Sequence, residues 1–135
     1  MKYNDIRATL EDHLSKITDV PTIIPENVRV VTDEGTTYLQ TSFVPIRTRV
    51  RTLRGPNVQQ RFQGWFQIRV LTPTFDGSGN SLLIVDNIAE HFKVGSSIET
   101  PTGKFLTIEY AEVGNKSLQD THFSTILNVG WYLFA

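Results

Sequence analysis

Val58-Gln59-Gln60-Arg61-Phe62-Gln63-Gly64-Trp65-Phe66-Gln67-Ile68-Arg69-Val70-Leu71 alternates with a period of two. Phe62, Phe66, Ile68 and Val70 fall on one side of an extended chain, and Arg61, Gln63, Trp65, Gln67 and Arg69 fall on the other. Successive side chains of a strand point to opposite faces, so the pattern predicts a strand with one buried face. Thr72-Pro73 stops the ladder, Asp76-Gly77-Ser78-Gly79-Asn80 predicts a turn, and Val85, Ile88, Ala89 and Phe92 then recur at helical spacing. A strand feeding an amphipathic helix is the frame for everything else in the chain.

Upstream, Ile6, Leu10, Leu14 and Ile17 form an apolar stripe, with Asn4 as the N-cap and Asp5 in the first turn, where a carboxylate favours the helix dipole. Arg7 with Glu11 and Asp12 with Lys16 stand four apart on the polar side. This predicts a helix ending near Thr18. Pro21 and Pro25 hold the next segment extended, and Val28, Val30 and Val31 predict a short strand before a turn at Asp33-Glu34-Gly35.

Thr37 to Arg54 reads as a long strand that changes phase once, because Leu39 and Phe43 are odd-numbered and Ile46 and Val50 even-numbered. Pro45 stands at the switch and has no N–H to donate, which predicts a bulge or an edge position there. Leu53-Arg54-Gly55-Pro56-Asn57 turns the chain back into the central strand, giving a long hairpin whose arms reach about 45 Å and project in part from the body. Downstream, Gly95 is the expected C′ residue of the second helix. Ile98 to Thr100, a turn at Pro101-Thr102-Gly103, and Phe105 to Val113 predict a second hairpin, with Leu106, Ile108 and Tyr110 on one face. Gly114-Asn115-Lys116 predicts another turn. His122 to Phe134 makes the last strand, with Phe123, Leu127, Val129, Trp131 and Leu133 on one side. The predicted fold is α+β: a largely antiparallel sheet, two helices packed on one face and a long protruding β-hairpin, in one domain over residues 1–135.

The 135 residues, 39% hydrophobic and 20% charged, are enough for one core without a staple. The absence of cysteine excludes disulfides and thiolate chemistry, and no apolar run approaches the roughly 18 residues of a membrane span. No secretory leader is apparent at Met1-Lys2-Tyr3-Asn4-Asp5, so the sequence points to a cytoplasmic site of synthesis, and Asn115-Lys116-Ser117 reads as a polar turn rather than a glycosylation site. The net charge of -1 hides an asymmetry. Residues 35–75 contain no acid but hold Arg47, Arg49, Arg51, Arg54, Arg61 and Arg69, whereas seven acids and only three lysines follow from Asp76. Such a division suits self-assembly or a polyanion.

Catalytic patterns are missing. His13, His91 and His122 lie on different elements without ligand spacing, Gly77-Ser78-Gly79 lacks the geometry of a nucleophile elbow, and the same turn lacks the third glycine or lysine of a phosphate loop. Glu109 and Glu112 differ in strand parity and are expected on opposite faces. No cofactor or metal is implied. The candidate interface residues are Arg47, Arg49, Arg51, Arg54 and Arg61, and Trp65, which stands between Gln63 and Gln67 on the polar side of the central strand. A tryptophan there is either covered locally or anchors a partner. The arginine row reads otherwise as protection of a strand edge.

With these elements placed, the chain resembles the phage tail terminator proteins, small ring-forming minor tail proteins of long-tailed phages. The resemblance is carried by Ile6-Arg7-Ala8-Thr9-Leu10-Glu11-Asp12-His13-Leu14, the strand with Tyr38-Leu39, Arg61-Phe62-Gln63-Gly64-Trp65-Phe66-Gln67-Ile68 running to Pro73, Ile88-Ala89-Glu90-His91-Phe92 before Gly95, and Trp131-Tyr132 near the end. It implies a non-enzymatic virion protein, present in the host cytoplasm during assembly. In the virion it would form a ring, a homohexamer, on the tail tube protein, end tube polymerisation and offer the head–tail connector a docking face. Genomic DNA would pass through, and no membrane is involved. Head completion and connector proteins of the phage neck have similar size and fold and are the nearest alternative. A nucleic-acid-binding module using the basic hairpin is the alternative from another class.

Overall fold

The computed structural model describes residues 2–25, 36–50, 60–73, 78–118 and 122–135. In chain order the elements are α1 (Tyr3–Ser15), β1 (Thr22–Ile24), β2 (Tyr38–Val50), β3 (Gln60–Pro73), α2 (Ser78–His91), β4 (Ser97–Glu99), β5 (Phe105–Leu118) and β6 (His122–Phe134). The strands form a six-stranded sheet in the order β1-β2-β3-β6-β5-β4, and every pair is antiparallel except β1 with β2. The α+β class therefore holds, and the sheet is curled like half a barrel.

The curl has a local origin. β3 and β6 pair without a break from Arg61↔Phe134 to Pro73↔His122. Beyond them Gln60 and Ala135 exchange N–H···O bonds of 2.8 and 3.0 Å, so the apolar C-terminal strand is paired to its end. The strands on either side are irregular. β2 shifts register between Ile46 and Arg49, and β5 shifts between Ile108 and Tyr110 and again between Val113 and Lys116. At each shift the outer strand carries one residue more than its partner, the geometry that bends a strand and increases its twist.

Several local expectations are corrected by this arrangement. Of the two settings expected at Pro45 the edge position holds among the described residues, and only the bulge is displaced: Pro45 pairs in register with Gly64, and the shift comes after Ile46. Ile46 stays in phase with Val44 and is 38% exposed rather than in the core. Proline is tolerated because β1 accompanies β2 only from Tyr38 to Gln40, so no described strand needs a donor from Pro45 on that side. Gly114-Asn115-Lys116 is not a turn: β5 continues to Leu118, since β6 supplies partners as far as Phe123 and the bulge absorbs the extra residue.

The helix ends differ as well. The N-cap of α1 is Lys2, and the Asn4 side chain accepts from Arg7 Nη2 at 2.7 Å instead of capping. The helix starts two residues earlier than expected, at Tyr3, because the Tyr3 ring meets Phe62 and Phe43, with centroids 5.7 and 6.4 Å away. α1 stops at Ser15, ahead of Thr18, and Asp19 takes a left-handed conformation at φ 61°. α2 starts at Ser78, inside the expected turn. Gly95, at φ +85°, is not its C′ residue but the third position of a tight turn closed by Ser96 N–H to the Lys93 carbonyl at 3.0 Å. The expected Val28–Val31 strand, the turn at residues 33–35 and the turn at residues 53–57 lie outside the described residues.

The apolar patterns converge on one buried cluster. It contains Ile6, Leu10 and Leu14 of α1, Phe66, Ile68 and Val70 of β3, Val85 and Ile88 of α2, and Leu127, Val129, Trp131 and Leu133 of β6. Phe92, just beyond α2, is fully buried, with Phe66 at 6.5 Å and the His13 ring at 4.8 Å. Trp131 stacks on Phe43 at 5.4 Å and 8°. His13 Nε2 donates to the His91 carbonyl at 2.6 Å, so this histidine ties α1 to the end of α2. His122, also buried, is bonded to the Thr36 carbonyl at 2.9 Å. The pairs Arg7–Glu11 and Asp12–Lys16 form as expected, at 2.5 and 2.8 Å.

Candidate assembly surface

Strand alternation gives the sheet a second face, opposite the core cluster. On β3 it carries Arg61, Gln63, Trp65, Gln67 and Arg69, all half-buried. The register continues it onto β6 as Phe134, Tyr132, Gly130, Asn128 and Ile126, and onto β2 as Ile46, Val44, Ser42 and Gln40. Trp65 lies between Val44 and Gly130. It is half-buried between these strand neighbours.

The first bulge of β5 completes this face. Leu106 and Ile108 point into the core, but the extra residue at Glu109 reverses the phase, and Tyr110 comes to lie opposite Gly130 rather than beside Ile108. A Cβ on Gly130 would run into the Tyr110 ring, so only glycine lets the ring lie across β6. The same reversal overturns the expectation for the two carboxylates. Glu112 pairs with Asn128, two positions along the same strand from Gly130, and Glu109 reaches Arg61. Both therefore surround Tyr110 on the Trp65 side. The phenol is pushed above its ordinary value of 10.0, first by burial and then by the charges of Glu109 and Glu112.

Arg61 is the anchor of this surface. Its Nη2 is 3.3 Å from Glu109 Oε1, and its guanidinium lies over the Tyr132 ring at 4.7 Å. Exposed pairs contribute only about 0.2–1 kcal/mol each, but one carboxylate and one ring together fix the orientation of a long side chain. The Arg61 Nε and the Asn128 Oδ1 are buried without a hydrogen-bond partner among the described residues.

The other candidates are less closely gathered. β2 carries Arg47 and Arg49, and Arg49 is the register partner of Arg61. The side chains of Arg47 and Arg49, and Arg51 and Arg54 altogether, lie outside the described residues. Residue periodicity missed Tyr110 and Tyr132 for this face and set Glu109 and Glu112 on opposite faces. The one available signal was a glycine at position 130, inside the apolar run from Val129 to Phe134.

A separate cleft of about 460 Å³ lies between α1 and β4, with Thr9, Asp12, His13, Lys16 and Glu99 among its lining. Within its lining Lys16 pairs with Asp12, and His13 bonds the His91 carbonyl. Among the described residues no group of three or more His, Cys, Asp or Glu could hold a metal ion, and no helix is long and apolar enough to cross a membrane.

Comparison with known proteins adds what geometry does not. The family described as phage tail terminator protein matches residues 5–127. No curated protein matches the chain. Among solved structures, one shares the fold at a TM-score of 0.73 and 21% identity, over 98% of this chain and 96% of that one.

Proposed function

Since the chain belongs to the phage tail terminator protein family, a family of structural tail proteins and not of enzymes, we propose that it closes the tail tube as a ring. The match over residues 5–127 is the observation that carries this reading. In it, subunits assemble into a homohexamer on the last ring of tube protein, stop polymerisation and present the connector with a docking face. The protein passes through the host cytoplasm on its way into the virion.

Physical chemistry supports the ring. A ring closes through heterologous contacts, which need two different complementary patches on each subunit. One stretch of this chain is free of acids and rich in arginine, and the remainder is acidic. In the proposal the arginine arm with Arg47, Arg49, Arg51 and Arg54 projects from the body as a hairpin towards a neighbour. The surface around Arg61 and Trp65, on a face left uncovered by the helices, meets a neighbouring subunit or the tube. A nucleic-acid module has less support, because Arg61 already faces Glu109 and Tyr132 of its own chain. DNA contact is then at most a passing one, as the genome moves through the ring.

Light scattering during size exclusion, at several protein and salt concentrations, tests the ring. The expected species has six times the 15.3 kDa chain mass and shrinks as salt rises, since exposed pairs are screened over about 10 Å at 0.1 M. A mass of 15.3 kDa at every concentration, with or without tube protein, overturns the proposal.

A further inference from the structure

The sheet has an open strand edge on each side. β4 is the last strand on one of them. At its ends Ser96 accepts from Ile108 N–H at 3.0 Å and Thr100 N–H donates to the Lys104 carbonyl at 2.8 Å. Backbone groups alternate between the two sides of a strand, so the N–H and C=O of Ser97 and Glu99 point away from β5, where no described strand lies. Both residues are exposed, and the cleft of about 460 Å³ between α1 and β4 opens alongside, with Glu99 in its lining. On the other side β1 accompanies β2 only from Tyr38 to Gln40, so from Thr41 to Val50 the edge of β2 has no described neighbour. Unpaired N–H and C=O groups of an edge strand are a template for another strand.

We propose that the β4 edge, Ser97 to Glu99, is where a second copy of the chain docks, by adding the Ile46–Val50 end of its β2 as a parallel strand. The proposal rests on the ring reading and names the contact that closes it. An open edge is satisfied by an extended backbone, and the neighbour's segment is already a strand. Height along the strands selects that segment. One row of register partners crosses the sheet from Ser97 through Thr107, Tyr132 and Gln63 to Ile46. Four antiparallel pairings separate β4 from β2, so the two strands run in the same direction. A rotation about an axis along the strands preserves both height and direction, and it brings Ile46 of one copy level with Ser97 of the next. The two sides of this contact are different surfaces, as a closed ring requires.

Charge agrees with this register. Glu99 stands two residues beyond Ser97, and at the same height on β3 stands Arg61, the register partner of Arg49. Glu99 of one copy therefore meets position 49 of the next. Glu99 has no ion pair among the described residues, and within one subunit the pairing of Arg49 with Arg61 sets like charges opposite each other, which is unfavourable. An acid on a short edge strand discourages most incoming strands, but one that brings an arginine to that level is attracted. Exposed apolar side chains flank the junction on the Trp65 face: Ile46, 38% exposed, on the incoming strand, and Phe105, 60% exposed, beside Glu99.

The test is a charge-reversal cycle in the full chain, read by light scattering and by amide hydrogen exchange. Glu99→Arg and Arg49→Glu should each weaken assembly at least about tenfold while leaving the circular dichroism of the subunit unchanged, and the double variant should regain it. Independently of any substitution, the amides of Ser97 and Glu99 should exchange at least about tenfold more slowly in the wild-type ring than in wild-type subunits dissociated by dilution, whereas that of Ile98, whose N–H faces β5, should change little. A wild-type chain that never assembles sinks the ring reading itself. A wild-type ring that Glu99→Arg leaves intact, a double variant that stays apart, or Ser97 and Glu99 amides that remain fast in the ring overturns the edge contact alone.

Discussion

The Tyr110 ring lies across Gly130, in the space where any side chain at that position would have to stand. Gly130→Ala should therefore displace the ring and destabilise the fold by about 1–3 kcal/mol, the range for inserting a methyl group where there is no room. Since Tyr110→Ala removes the obstruction, the double variant should be more stable than the sum of the two single effects. A thermodynamic cycle from denaturant melts checks this, and strict additivity would show that the two residues do not compete.

Alkaline stability should depend on the same tyrosine. Burial and two carboxylates disfavour the phenolate, so the folded protein holds this proton at pH values where the unfolded chain has lost it. A raised folded-state pKa means the contribution is fully present below the ordinary value of 10.0 and is lost as pH rises beyond it. Between about pH 9 and pH 11 the melting temperature of the wild type should fall more steeply than that of Tyr110→Phe. Glu109→Gln and Glu112→Gln should each bring the phenol's ultraviolet titration back towards the ordinary range.

Phe92 carries the packing at the end of α2. Fully buried against Phe66 and His13, it should cost about 3–5 kcal/mol when replaced by alanine. For a chain of this length that is on the order of 10 °C in melting temperature. An unchanged melt would show that the site collapses around the lost ring.

Deleting Trp131 to Ala135 should give an insoluble or unfolded product. It removes a fully buried tryptophan, the register partners of Arg61 to Gly64 and the reciprocal bonds between Gln60 and Ala135. Native circular dichroism from a soluble truncated chain would contradict this.

Replacing Arg47, Arg49 and Arg51 together by glutamine should separate stability from assembly. Surface substitutions of this kind alter stability by about 0.5 kcal/mol or less, so the subunit should melt within about 2 °C of the wild type. The ring and the control of tail length should be lost, as seen by light scattering and by the lengths of tubes in electron micrographs. Intact rings that bind DNA more weakly would assign the arginines to the genome's passage instead.

The pattern of the chain was legible wherever a single strand or helix decides it. The alternation through Phe66, Ile68 and Val70, the stripe through Val85, Ile88 and Phe92, and the side of β6 holding Leu127, Val129, Trp131 and Leu133 all map onto the buried cluster. What escaped was set by pairs of strands. A bulge exists only relative to a partner, so periodicity placed Tyr110 with Ile108, separated Glu109 from Glu112 and broke β5 at Gly114. The candidate surface around Trp65 suffered most, because β5 contributes to it after its phase has reversed. Asn4 misled for a related reason: its propensity favours a cap, but the contacts of Tyr3 with Phe43 and Phe62 decide where α1 begins.

The contrast between an unbroken β3–β6 ladder and bulged neighbours has a consequence for how relatives of this chain differ in length. Losing one residue at Glu109 would erase a bulge and leave the rest of β5 with its partners and its faces, Ala111 still opposite Val129 and Glu112 still opposite Asn128. Within β3 or β6 the loss would turn over both sides of the ladder, with no bulge there to absorb it. Gaps among homologues are accordingly expected at the bulges of β2 and β5 and in the connections, while β3 and β6 keep their residue count even where their side chains have changed.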